Sequence, residues 1–101
     1  MKHFENIYPN EIDLLINKND VFIIDLRNNI EYRKKHIKGA VNIQYEHIKK
    51  NMNIIPKDKI VMVYCSSGAR SLQVARMLAT EGYLVKNVIG GIKKYYGSSL
   101  T

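Results

Sequence analysis

Apolar residues in this chain come as short β-branched runs, separated by segments in which they recur every three or four positions. Ile60-Val61-Met62-Val63-Tyr64 is unbroken and apolar, the pattern of a strand buried on both faces of a parallel sheet. Behind it Leu72, Ala75, Leu78 and Ala79 recur at helical spacing and Gly82 offers a stop, which predicts a helix over about residues 70–81. Upstream, Ile7-Tyr8 reads as a short first strand. Pro9 opens a helix to Asn17, with Glu11 in its first turn and Ile12, Leu15 and Ile16 on its apolar face. Asn19-Asp20 turns the chain into a second buried strand, Val21 to Leu26. Val41-Asn42-Ile43 is a short strand, and Glu46 to Asn51 a short helix with Ile48 and Met52 turned inward. Pro56 and the charges after it mark a connection. Tyr83 to Ile89 is a last strand, and Gly90-Gly91 begins a short terminal helix through about Tyr96. Strand alternating with helix predicts an α/β fold with a parallel sheet.

The chain has 101 residues, 46% of them apolar, enough for one small domain over residues 1–101 and too few for a second. No apolar run approaches the roughly twenty residues of a membrane span, and the opening residues lack the apolar core of a signal peptide, so a cytoplasmic setting is expected. The formal charge of +7 admits RNA, acidic protein or small anions as partners. The pairs Lys34-Lys35, Lys49-Lys50 and Lys93-Lys94 are dispersed rather than clustered, which favours a solvated surface over a nucleic-acid footprint. One cysteine excludes an internal disulfide, and three scattered histidines without paired spacing argue against zinc. No cofactor is expected.

That single cysteine, Cys65, stands where the strand ending at Tyr64 meets the helix. A lone cysteine is usually an inert buried side chain. Here the small residues Ser66, Ser67, Gly68 and Ala69 let unpartnered N–H groups of a helix N-terminus converge on one anion, and Arg70 adds a cation. Both favour the nucleophilic thiolate, so Cys65 is expected to be reactive.

Cys65-Ser66-Ser67-Gly68-Ala69-Arg70-Ser71 resembles the active-site loop Cys-x-x-Gly-x-Arg-Ser of single-domain rhodaneses, a sulfurtransferase family. Asp25-x-Arg27, Glu31-Tyr32 and His36-Ile37-Lys38-Gly39-Ala40-Val41-Asn42-Ile43 resemble the family's N-terminal signature. Gly90-Gly91-Ile92-Lys93-Lys94-Tyr95 is similar to its Gly-Gly-x-x-x-Trp ending, with Tyr95 where tryptophan is usual. The resemblance covers nearly the whole chain. It implies a three-layer α/β fold, a central, mostly parallel sheet of about five short strands flanked by helices.

It also implies a Cys65 persulfide, loaded by a small anionic or thiol sulfur donor and discharged to a thiol, cyanide or a protein acceptor. The amides of Ser66 to Ser71 would stabilise its charge as an oxyanion hole does, and Arg70 would orient an anionic donor. The serine side chains themselves are equally readable as ordinary loop residues. Asp25 and Arg27 lie near the sheet edge that carries Cys65 and read as a bracing ion pair, because a free carboxylate would disfavour the thiolate. His36 reads as bracing a turn rather than as a catalytic partner, and Gly39 as a backbone position that a Cβ would obstruct.

Two other functions remain open. A cysteine phosphatase or arsenate reductase would use a similar loop, but four residues separate Cys65 from Arg70, one fewer than such phosphatases have. A rhodanese-like binding, regulatory or persulfide-sensing module would carry the same fold without turnover.

Overall fold

The computed structural model describes residues 3–101. Five strands, β1 (Glu5–Ile7), β2 (Val21–Asp25), β3 (Val41–Asn42), β4 (Ile60–Tyr64) and β5 (Leu84–Val88), form one sheet. Its order is β1-β5-β4-β2-β3, and every pairing is parallel. The cysteine strand β4 is central, and its apolar run is explained by burial on both faces.

Alternation along the strands divides the core into two layers. On one face Ile24, Val61, Val63 and Val85 meet Val74, Ala75 and Leu78 of α3 (Ala69–Thr80), together with Ile48 and Ile55. On the other, Ile23, Met62, Tyr64 and Val88 meet Ile12, Ile37 and Tyr95. Ile12 belongs to the short α1 (Ile12–Leu15). No helix among the described residues is long and apolar enough to cross a membrane.

The long elements fall within one or two residues of the sequence expectation, and the short ones differ. Pro9 to Asn17 is a 3₁₀ turn, Pro9–Glu11, followed by α1 rather than one helix. Tyr8 lies outside the first strand and is exposed. The expected helix from Glu46 is two 3₁₀ segments, Tyr45–His47 and Lys49–Ile54, and the terminal helix reduces to Ile92–Lys94. So few residues make little helical hydrogen bonding, so tertiary contacts set their winding. The periodicity does not predict α2 (Asn29–Lys34), none of whose residues is buried. Asn28 caps it, accepting the Glu31 N–H at 2.9 Å.

The C-terminus closes the second layer. Ile37 bridges Leu100 antiparallel, with reciprocal backbone bonds between His36 and Thr101. Tyr95 is buried, and its hydroxyl donates to Asp13 Oδ1 at 2.6 Å and accepts the Ser99 N–H at 2.6 Å. The hydroxyl that a tryptophan would lack thus pins the last residues. Gly39 has φ +84° with nothing within 4 Å of a built Cβ. The demand there is conformational, not the steric obstruction expected.

Candidate active site

Parallel strands end on one edge, and in open α/β sheets that edge binds ligands where the strand order reverses. Here the reversal lies between β2 and β4, paired through Asp25 and Tyr64. The residues that follow, Leu26, Arg27, Cys65 and Ser66, line a cleft of about 340 Å³, together with Ser67, Ala69 and Arg70.

Cys65 sits buried at the base of the cleft, and two backbone donors point at its sulfur. The Gly68 N–H lies 3.1 Å from Sγ and the Ser71 N–H 3.4 Å. Gly68, at φ +105°, is the N-cap of α3, and this left-handed turn swings the loop amides toward the sulfur. Ser71 is fully buried and its hydroxyl donates to the Gly68 carbonyl at 3.2 Å, closing the turn from inside. Among the described residues the N–H groups of Ser66, Ser67, Ala69 and Arg70 have no acceptor. The loop therefore has the donors an added negative sulfur requires.

The terminal glycines hold the loop from behind. The N–H groups of Ile92 and Lys93 donate to the carbonyls of Cys65 and Ser66 at 3.0 and 3.1 Å. This approach needs Gly91, whose built Cβ would lie 2.6 Å from the Cys65 carbonyl oxygen. The Gly-Gly pair thus occupies the carbonyl side of the loop.

Asp25 and Arg27 form the expected ion pair, with Asp25 on the face of the sheet opposite the sulfur and Arg27 at the cleft wall. Arg27 Nη2 lies 2.7 Å from Asp25 Oδ2, Nε bonds both carboxylate oxygens, and Nη2 also donates to the Lys35 carbonyl. The fully buried Asp25 further accepts the Tyr64 hydroxyl at 2.6 Å. Burial opposes the charge on Arg27, but the hydrogen bonds and charge of Asp25 outweigh it and raise its pKa. Burial, then the charge of Asp25, drive the Tyr64 phenol upward. With Asp25 on Tyr64's face, its carboxylate does not confront Cys65.

His36 is absent from the cleft. Its ring stacks on Tyr32 with centroids 3.8 Å apart, and Nδ1 lies 2.7 Å from the Tyr32 carbonyl, the bracing expected of it. Arg70 is exposed, lines the cleft and holds its guanidinium 5.1 Å from the Tyr45 ring centroid. Two charged lining residues were not expected: Glu31 of α2, whose Oε2 accepts the Ser66 hydroxyl at 3.3 Å, and Glu46. Glu31 lies within the Glu-Tyr motif, whereas no sequence pattern marks Glu46.

The profile of the rhodanese-like domain family matches residues 8–98. This chain belongs to that family. It is 39% identical over 90 residues to a sulfurtransferase from Allochromatium vinosum, covering 82% of this chain and 84% of the relative. It is 34% identical to the tRNA sulfurtransferase of Desulfurococcus amylolyticus over 87% of this chain, but spans only 17% of that longer protein. The crystal structure of a rhodanese-like domain protein from Staphylococcus aureus superposes with a TM-score of 0.85 at 28% identity, covering 96% of each chain. The rhodanese-like chain thus matches sulfurtransferase relatives, one of similar length and one much larger.

Proposed function

We propose that this rhodanese-like protein is a sulfurtransferase that carries a sulfane sulfur on Cys65. The observation that carries the reading is the pair of N–H groups, from Gly68 and Ser71, directed at Sγ on the floor of an open cleft. Cys65 thiolate attacks the sulfane sulfur of thiosulfate, a persulfide or a polysulfide, and the bond to the sulfite or thiol leaving group breaks. The product, Cys65–S–S⁻, extends the charge into the cleft, where the loop amides of Ser66 to Arg70 stabilise it. A thiol, cyanide or partner protein then attacks the outer sulfur and returns the thiolate. Arg70 attracts and orients the donor, while Asp25 and Arg27 support the strand ends without touching the sulfur. The proposed setting is cytoplasmic, where a lone thiol stays reduced.

Intact mass before and after a sulfane donor tests this, with Cys65→Ser beside the wild type. The expected result is a gain of one sulfur, confined to wild type and discharged by cyanide or a thiol. In Arg70→Ala, loading from thiosulfate should fall more than loading from a neutral donor. Failure of the folded, reduced protein to load from any of several donors would replace this reading with that of a binding module.

A further inference from the structure

We propose that Glu31, Glu46 and Arg70 select the donor at Cys65: a small hydropersulfide bearing an α-amino-acid headgroup, its ammonium on the carboxylates and its carboxylate on the guanidinium. This rests on the Cys65 relay and names its substrate class.

The cleft over Cys65 is lined by two arginines and two glutamates. The charge of Arg27 is already countered by the buried Asp25, which accepts from Nε and Nη2, while Nη2 also donates to the Lys35 carbonyl. Arg70 is exposed and makes no ion pair among the described residues. Contact with the Tyr45 ring supports its guanidinium while leaving its donors open.

The carboxylates are placed differently. Glu31 is held to the cysteine loop by the Ser66 hydroxyl, and its backbone is fixed by the Asn28 cap. Glu46 follows Tyr45, the residue under Arg70, and is exposed. Neither glutamate belongs to an ion pair among the described residues. A dianion such as thiosulfate entering this cleft meets one positive charge not countered by an ion pair, that of Arg70, and two such negative ones. A zwitterionic headgroup meets complementary charge at both ends, and the donor reacts with the thiolate through the protonated form of its outer sulfur.

The step balances without an outside oxidant. The Cys65 thiolate attacks the outer sulfur of the neutral hydropersulfide, a new S–S bond forms at Sγ, and the donor's own S–S bond breaks. Its electron pair leaves on the inner sulfur, which takes the hydropersulfide proton. Cys65 is oxidised to a persulfide anion as the donor is reduced to its thiol.

The test is the rate of Cys65 loading from cysteine hydropersulfide, N-acetylcysteine hydropersulfide and thiosulfate, in wild type, Glu31→Gln, Glu46→Gln and the double variant. Acetylation removes the ammonium, and comparison across variants cancels the intrinsic reactivities of the donors. The expected cysteine to N-acetylcysteine ratio of kcat/KM falls about tenfold from wild type to the double variant, while thiosulfate loading rises. Added salt should shrink the wild-type ratio toward that of the double variant. A ratio unchanged in the double variant overturns the assignment and leaves the relay standing. No loading from any donor removes the relay, and the assignment with it.

Discussion

Gly91 meets Ser66 backbone to backbone: a Cβ at position 91 would overlap the Ser66 carbonyl group. Two segments far apart in sequence thereby share one wall, and the loop around Cys65 takes its shape partly from the chain's end. Gly91 also has φ +67°, so both space and conformation require glycine.

Gly91→Ala should therefore displace the cysteine loop, costing about 2 kcal/mol or more of stability and slowing Cys65 loading further than that loss explains. Gly39→Ala is the matched control, because Gly39 also has positive φ but open space around it. Its expected cost is about 1 kcal/mol, with loading preserved in the folded fraction. Urea unfolding and loading rates on both variants check this; equal behaviour of the two would discount the loop contact.

The buried pair beneath the site predicts a second effect. Asp25→Asn leaves the Arg27 guanidinium without its counter-charge and should destabilise the fold by about 3 kcal/mol. Tyr64 adds a pH dependence at the alkaline end. Its folded pKa is raised, so the unfolded chain releases the phenol proton first. Its contribution is whole below about pH 10 and is lost above it, at up to about 1.4 kcal/mol per pH unit. Tyr64→Phe should have a shallower alkaline decline in stability than wild type, measured by denaturant unfolding at stepped pH. Parallel curves would contradict the coupling.

At the acid end the relevant group is Asp13. Hydrogen bonds from Ser99, then Tyr95, hold its carboxyl below the ordinary aspartate range. A depressed folded pKa stabilises above the unfolded value near 3.9 and is lost as pH falls through the folded one. Docking of the C-terminal residues should loosen in that window, seen as faster amide exchange at His36 and Thr101. Asp13→Asn should remove the acid dependence. Tyr95→Phe should cost about 1–3 kcal/mol by leaving the buried Ser99 N–H unpaired.

What the sequence by itself determined is the set of elements whose burial repeats along the chain. The runs at Val21–Asp25 and Ile60–Tyr64 and the helical spacing behind Cys65 are legible because each face meets one environment along its whole length. The helix Asn29–Lys34 buries no residue, so apolar period carries no trace of it; its signal was polar, the Asn28 cap with Glu31 three residues on. The cysteine loop was legible as a motif, and its ion pair as Asp-x-Arg.

Tertiary structure alone decided what stands around that loop. That Asp25 turns to Tyr64 and away from Cys65 depends on the pairing of β2 with β4. That Glu31 and Glu46 share the cleft with Arg70 depends on how two surface segments settle over the sheet edge. The approach of Gly91 to Ser66 joins residues whose local sequences are silent about one another. Local patterning records which side of an element leaves water. Contacts between distant elements arise only when the packed layers fix their separations, and the charge and shape of the cleft come from those contacts.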